Sequence, residues 1–68
     1  METSARNQLR GTVTSVSLGA VMAEVTLDIG GAQVVAAITK ESAERLGLAE
    51  GKAAIAIIKA TDVMIGVD

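Results

Sequence analysis

Apolar and polar positions alternate most regularly between residues 20 and 29. Val21, Ala23, Val25, Leu27 and Ile29 are separated there by Met22, Glu24, Thr26 and Asp28. A repeat of two marks a half-buried strand, because successive side chains point to opposite faces. Gly30 and Gly31 follow, and two adjacent glycines supply the positive φ angles of a tight hairpin turn. Residues 32 to 38 then return as a second strand. Upstream, Leu9 to Leu18 is rich in Thr, Val and Ser and reads as a strand of its own. Its apolar residues change parity, from Leu9 and Val13 to Val16 and Leu18. That switch predicts a bulge near Thr14-Ser15, or a strand crossing between two packing surfaces. Gly19 makes the turn into the next strand.

The second half of the chain contains the one helical segment, Thr39 to Leu48. Thr39 can cap its first turn, Glu41 suits the positive end of the dipole, and Gly47 can end it at the C′ position. Residues 49 to 52 form a turn. Ala53 to Lys59 reads as another strand and Val63 to Val67 as a last short one. The resulting order is strand, strand, strand, helix, strand, strand. It predicts a mainly β fold: a small OB-like five-stranded barrel with one short helix between the third and fourth strands.

Residues 32–38 and 53–58 are apolar at both parities, as in Val34-Val35-Ala36-Ala37-Ile38 and Ala53-Ala54-Ile55-Ala56-Ile57-Ile58. A monomeric barrel needs one inward apolar face, so the second face is expected to be buried by a partner subunit. Composition leads the same way. The chain has 68 residues, room for a single domain over residues 1–68, and half of them are hydrophobic. None is Phe, Tyr, Trp, Pro or Cys. So short a chain builds a marginal core, disulfide staples are impossible, and association with copies of itself is the remaining remedy.

Charge and residue types narrow the function. The net charge is −2 and the pI is near 4.9, which opposes binding to a phosphate backbone. The missing aromatic rings remove the stacking platforms of single-strand binders, worth roughly 1–3 kcal/mol per base. Nucleic acid is not an expected partner. Without His or Cys there is no imidazole or thiolate for a bare metal cation and no usual nucleophile or base, so neither metal binding nor catalysis is expected. The N-terminus has no apolar signal core, and no run nears the ~20 apolar residues of a membrane span. Cytoplasmic residence, with no membrane partner, is the expectation.

What the chain does offer is hydroxyls, cations and free amides. A tetrahedral dianion needs several such donors around its four oxygens. Ser4 and Arg6 supply a hydroxyl and a guanidinium two residues apart, on one side of an extended segment. Thr39 places a hydroxyl at a helix start, where free N–H groups favour anions. Lys59 adds a cation at a strand end, followed by the amides of Ala60 and Thr61. Each position also has a plain reading: a frayed terminus, a helix cap, a solvated edge charge. Glu24 and Asp28 read as solvated residues of a polar strand face.

Together these positions resemble a known family. The matching residues are Ser4-Ala5-Arg6-Asn7-Gln8-Leu9 with Gly11, Glu24-Val25, Ile38-Thr39 with Ser42, Leu46-Gly47-Leu48, Gly51, and Ile58-Lys59-Ala60-Thr61-Asp62-Val63-Met64. They resemble the molbindins, small bacterial Mop-type molybdate-binding proteins built on a single TOBE-class domain. The resemblance runs from Thr3 to Gly66. It implies an OB-like barrel assembled as a hexamer, a trimer of dimers. It also implies binding of molybdate, with tungstate as an analogue and no organic cofactor, in pockets between subunits. The implied role is intracellular molybdenum storage and homeostasis.

Carried over by position, Ser4, Arg6, Thr39, Lys59 and the amide of Ala60 match the family's oxyanion ligands. Some relatives have Ser where this chain has Ala60, so one hydroxyl is missing here. The family's second class of site relies on backbone amides, and the turn Gly19-Ala20-Val21-Met22-Ala23 is its candidate. The alternative function is a free-standing oxyanion-sensing module that regulates a partner protein.

Overall fold

The computed structural model describes residues 1–68. Four strands form one antiparallel sheet: β1 (Asn7–Leu18), β2 (Met22–Asp28), β3 (Gln33–Thr39) and β4 (Ala53–Ile58). A helix, α1 (Lys40–Arg45), lies between β3 and β4, and a 3₁₀ turn (Ala60–Asp62) follows β4. The strand order is β3-β2-β1-β4, which leaves β3 and β4 as the two edges. No helix is long and apolar enough to cross a membrane.

The β2–β3 hairpin follows the sequence closely. Gly30 and Gly31 both take positive φ, 91° and 94°, between the paired residues Asp28 and Gln33. Asp28 is more than a solvated face residue. Its Oδ1 accepts hydrogen bonds from the amides of Gly30 (3.0 Å) and Gly31 (3.3 Å), bracing the turn.

β1 organises the sheet. Its first half pairs with β4, from Asn7↔Ile58 to Thr12↔Ala53. Its second half pairs with β2, from Thr12↔Asp28 to Leu18↔Ala23. The register slips between Val13 and Ser15, leaving Thr14 as the extra residue at the expected bulge. The bulge restores parity, so that Val13 and Val16 both face the interior, and it curls the sheet into a half-barrel. At the centre of the curl two backbones come close: a Cβ on Gly11 would sit 2.3 Å from the Asp28 carbonyl oxygen.

Val13, Val25 and Leu27 form the core cluster. Val16, Ile29, Val34, Ile38, Leu48, Ala54 and Ala56 pack around it. Burying each large side chain contributes about 1.5–3 kcal/mol. Against an ordering cost of roughly 1–2 kcal/mol for every residue fixed, so few buried groups make a thin core. Large apolar residues meanwhile remain outside, among them Val35 on β3 and Ile57 on β4.

α1 shows the expected caps over a shorter span than Thr39 to Leu48. The Thr39 hydroxyl accepts the Ser42 amide at 3.1 Å. Leu46 is the C-cap, and Gly47 follows at φ 64°. The Gly47 amide donates to Glu44 and the Leu48 amide to Ala43, each at 3.0 Å, in a Schellman motif that turns Leu48 onto the core. Lys52 Nζ donates to the Leu46 carbonyl, also serving the helix end.

Three sequence expectations need correction. The sheet has four strands, not five, because Val63–Val67 forms no ladder. A strand exists only through hydrogen bonds to a neighbouring edge, and this segment meets none within its own chain. β4 also ends at Ile58, one residue before Lys59, where the chain turns into the 3₁₀ segment. Finally, β2 begins at Met22, so Val21 lies in the preceding turn and is exposed.

Candidate functional site

The candidate residues gather at two corners of the sheet. The first lies at the end of the β1–β4 ladder. Asn7 and Ile58 are its last pair, and Asn7 Nδ2 donates to the Ile58 carbonyl at 3.2 Å. Arg6 and Lys59 are the residues immediately beyond that pair, so residues 53 positions apart in sequence become neighbours. Both are exposed, and neither takes part in an ion pair; the chain's one ion pair is Lys40–Glu44, at 4.0 Å. Two cations at one corner favour an anion between them.

Lys59 also leads into the 3₁₀ turn, where the Asp62 amide donates to its carbonyl at 2.9 Å. The amides at the start of such a turn, those of Ala60 and Thr61, have no acceptor within it and point away from it. They add donors beside the two cations. Ser4 belongs to the same terminus but not to β1: the backbone bends at Ser4 and at Arg6. Side-chain alternation along an extended segment, expected for this pair, does not apply across those bends.

The second corner holds Thr39 and the Gly19–Ala23 turn. Met22 pairs with Thr39, the Gly19 amide donates to Met22 (2.8 Å) and the Lys40 amide to Val21 (2.7 Å). Sequence reading treated Thr39 and this turn as separate candidates; the fold makes them one place. They share a depression of about 440 Å³ lined by Ala20, Val21, Thr39, Lys40, Glu41 and Glu44. Thr39 Oγ1 accepts from the Ser42 amide and donates to Ser42 Oγ at 2.8 Å, so both of its hydrogen-bonding roles are engaged. The Ser42 hydroxyl then keeps a free proton, and sequence reading did not count Ser42 among the ligands. Its signal was there: a hydroxyl three residues after a cap faces that cap. Glu41 and Glu44 weigh against an anion here, while the Lys40 ammonium is held by Glu44.

The two corners do not meet in one chain. They lie at opposite ends of β1, whose 12 residues separate them by on the order of 30 Å along the strand. Arg6, Lys59 and Ala60 therefore fall at one corner, with Ser4 two residues before Arg6, and Thr39 with residues 19–23 falls at another. The described residues contain no group of three or more His, Cys, Asp or Glu side chains placed to hold a metal ion.

Comparison with known proteins places the fold. The TOBE domain family model matches residues 3–65. Molybdenum-pterin-binding protein 3 of Clostridium pasteurianum is 53% identical over 66 residues, covering 96% of this chain and 97% of that protein. A molybdate-binding protein from Sporomusa ovata superposes with a TM-score of 0.93 at 39% identity, over 98% of this chain and 100% of that one. The cytoplasmic molybdate-binding protein ModG, solved with molybdate bound, also gives 0.93, at 46% identity. All of this chain aligns there with 49% of ModG. By sequence over residues 3–65 and by fold, the chain belongs to the TOBE-domain family, as a molbindin of the Mop type.

Proposed function

We propose that this protein binds molybdate, and tungstate as its analogue, between copies of itself, as a cytoplasmic store that buffers molybdenum. The observation that carries the reading is the Arg6–Lys59 corner: two neighbouring cations without a carboxylate partner, beside the unpaired start of a 3₁₀ turn. Such a corner supplies charge-assisted N–H donors to an oxyanion and offers little to a bare cation. Relatives that cover the chain from end to end are named for molybdenum-pterin or molybdate binding, and one is solved with molybdate.

The separation of the two corners supports a site between subunits. Ser4, Arg6, Lys59 and the Ala60 amide reach only part of a tetrahedral anion from one side. Thr39 and the amides of the Gly19–Ala23 turn come to it from another copy of the chain. Burial between copies excludes water and strengthens each charge-assisted bond. A hexamer, as a trimer of dimers, provides several equivalent interfaces. Size selects the anion, since molybdate and tungstate are larger than sulfate. A free oxyanion also suits the residue set better than an organic ring system, because no aromatic side chain is present to stack against one.

Calorimetric titration with molybdate, in the presence of sulfate and phosphate as competitors, tests this. Saturable binding that excess sulfate leaves intact supports the reading. No heat from an intact oligomer refutes it.

A further inference from the structure

Side chains that peroxide can oxidise are few in this protein. It has no Cys, Trp, Tyr or His, so the thioethers of Met1, Met22 and Met64 are its readily oxidised groups. Met1 and Met64 lie outside the sheet and are 70% and 93% exposed. Met22 is held within it, as the first residue of β2, and its carbonyl accepts the Gly19 amide at 2.8 Å. Ala23, Val25 and Leu27 are the buried positions of β2. Alternation therefore turns Met22 to the outer face, where it is 48% exposed. It belongs neither to the core cluster nor to the residues packed against it.

The residue facing Met22 across the β2–β3 ladder is Thr39. Directly opposed residues of an antiparallel pair share a face, with Cβ atoms roughly 4.5–5.5 Å apart. The thioether thus flanks the hydroxyl that the proposed site gives to the oxyanion. Neither Met1 nor Met64 is paired with a site residue in any ladder. We propose that Met22 is an oxidation site that regulates anion binding: hydrogen peroxide converts its thioether to the sulfoxide, and the sulfoxide loosens the oxyanion at Thr39.

A sulfur lone pair attacks one peroxide oxygen. The S–O bond forms, the O–O bond breaks, and the second oxygen leaves as water with the proton of the first. Sulfur gives up two electrons and peroxide takes up two. The product replaces an apolar, flexible group by a polar one that accepts hydrogen bonds and donates none. Its oxygen, the negative end of the S–O dipole, repels the oxygens of the anion. It also offers the Thr39 proton an acceptor in place of the ligand. Losing one such hydrogen bond weakens binding about three- to tenfold. A thiol-dependent methionine sulfoxide reductase reverses the change.

This deepens the proposed function and rests on its placing Thr39 at the anion, and the test keeps the two apart. Full-length, molybdate-free protein is treated with hydrogen peroxide and desalted. Peptide mass spectrometry then locates the sulfoxides, calorimetry gives molybdate affinity, and native mass spectrometry gives the oligomer. The expected result is a sulfoxide at Met22, an intact oligomer, and affinity about three- to tenfold lower than before treatment. The reductase with a thiol should restore it. Peroxide should leave the affinity of Met22→Leu where it stood before treatment, although Met1 and Met64 are oxidised. Should that variant fail to fold, a time course on wild type decides: affinity must fall with Met22 sulfoxide and not with Met64 sulfoxide. Met22 unoxidised when Met1 and Met64 are complete, or oxidised without loss of affinity, overturns the inference and leaves molybdate binding standing. So does an equal loss in Met22→Leu, or an oligomer that falls apart on treatment. Untreated protein that gives no heat with molybdate removes both.

Discussion

Arg6 and Lys59 flank the last rung of the β1–β4 ladder, Asn7↔Ile58, and no carboxylate pairs with either. The ladder thus sets two like charges at one corner, where an anion between them would be favoured. Replacing Lys59 by Ala should therefore weaken molybdate binding about 10–100-fold, the equivalent of one charge-assisted hydrogen bond of roughly 1.5–3 kcal/mol. The oligomer should be unaffected, since Lys59 is exposed and holds no element in place. Calorimetry together with sedimentation checks both halves. Undiminished affinity in the variant would remove Lys59 from the site.

Thr39 caps the helix with its oxygen and, in the proposed site, turns its proton from Ser42 Oγ to the ligand. Asn caps a helix start as well as Thr does but lacks the hydroxyl. Thr39→Asn should keep the urea midpoint of wild type and lose molybdate affinity, whereas Thr39→Ala should also lose about 1 kcal/mol of stability. If Thr39→Asn binds molybdate like wild type, the hydroxyl is a cap alone.

Gly11 is fixed by its neighbour. A Cβ there would stand 2.3 Å from the Asp28 carbonyl oxygen, which belongs to a paired strand and cannot swing aside. Gly11→Ala should destabilise the protein by about 1–3 kcal/mol, as overpacking does. Urea unfolding measures it, and an unchanged midpoint would mean that the two strands separate more readily than their pairing suggests.

The hairpin turn depends on Gly30 at φ 91°, a conformation that costs an L-residue about 1–2 kcal/mol. Gly30→Ala should lower stability by that amount, although open space surrounds the new methyl group. Asp28→Ala should cost less, about 0.5–1.5 kcal/mol, because its two hydrogen bonds are exposed. Thermal unfolding of both variants ranks them, and the reverse order would show that the carboxylate, not the glycine, holds the turn.

Local chemistry was legible in the chain. The alternation at residues 23–27 gave β2 its buried face, Gly30-Gly31 gave the hairpin, the parity switch around Thr14 gave the bulge, and Thr39 and Gly47 gave the two ends of α1. Each of these signals acts over a few residues, so the chain carries both the cause and its effect. The candidate site residues stood out only as types: hydroxyls and cations without imidazole or thiolate.

Pairing was not legible. Val63–Val67 has the pattern of a strand, but a pattern does not supply an edge, and in the fold that segment stands free. That Arg6 adjoins Lys59 follows from the register of β1 with β4, which the distant backbone sets. That Thr39 adjoins the Gly19–Ala23 turn, and lies a strand's length from Lys59, follows likewise from β3 pairing with β2. The sequence by itself determined the elements and the chemistry they carry, because propensity, capping and turn geometry are short-range. Only the tertiary structure decided which donors meet, because contacts between residues far apart in the chain arise from sheet register and closure.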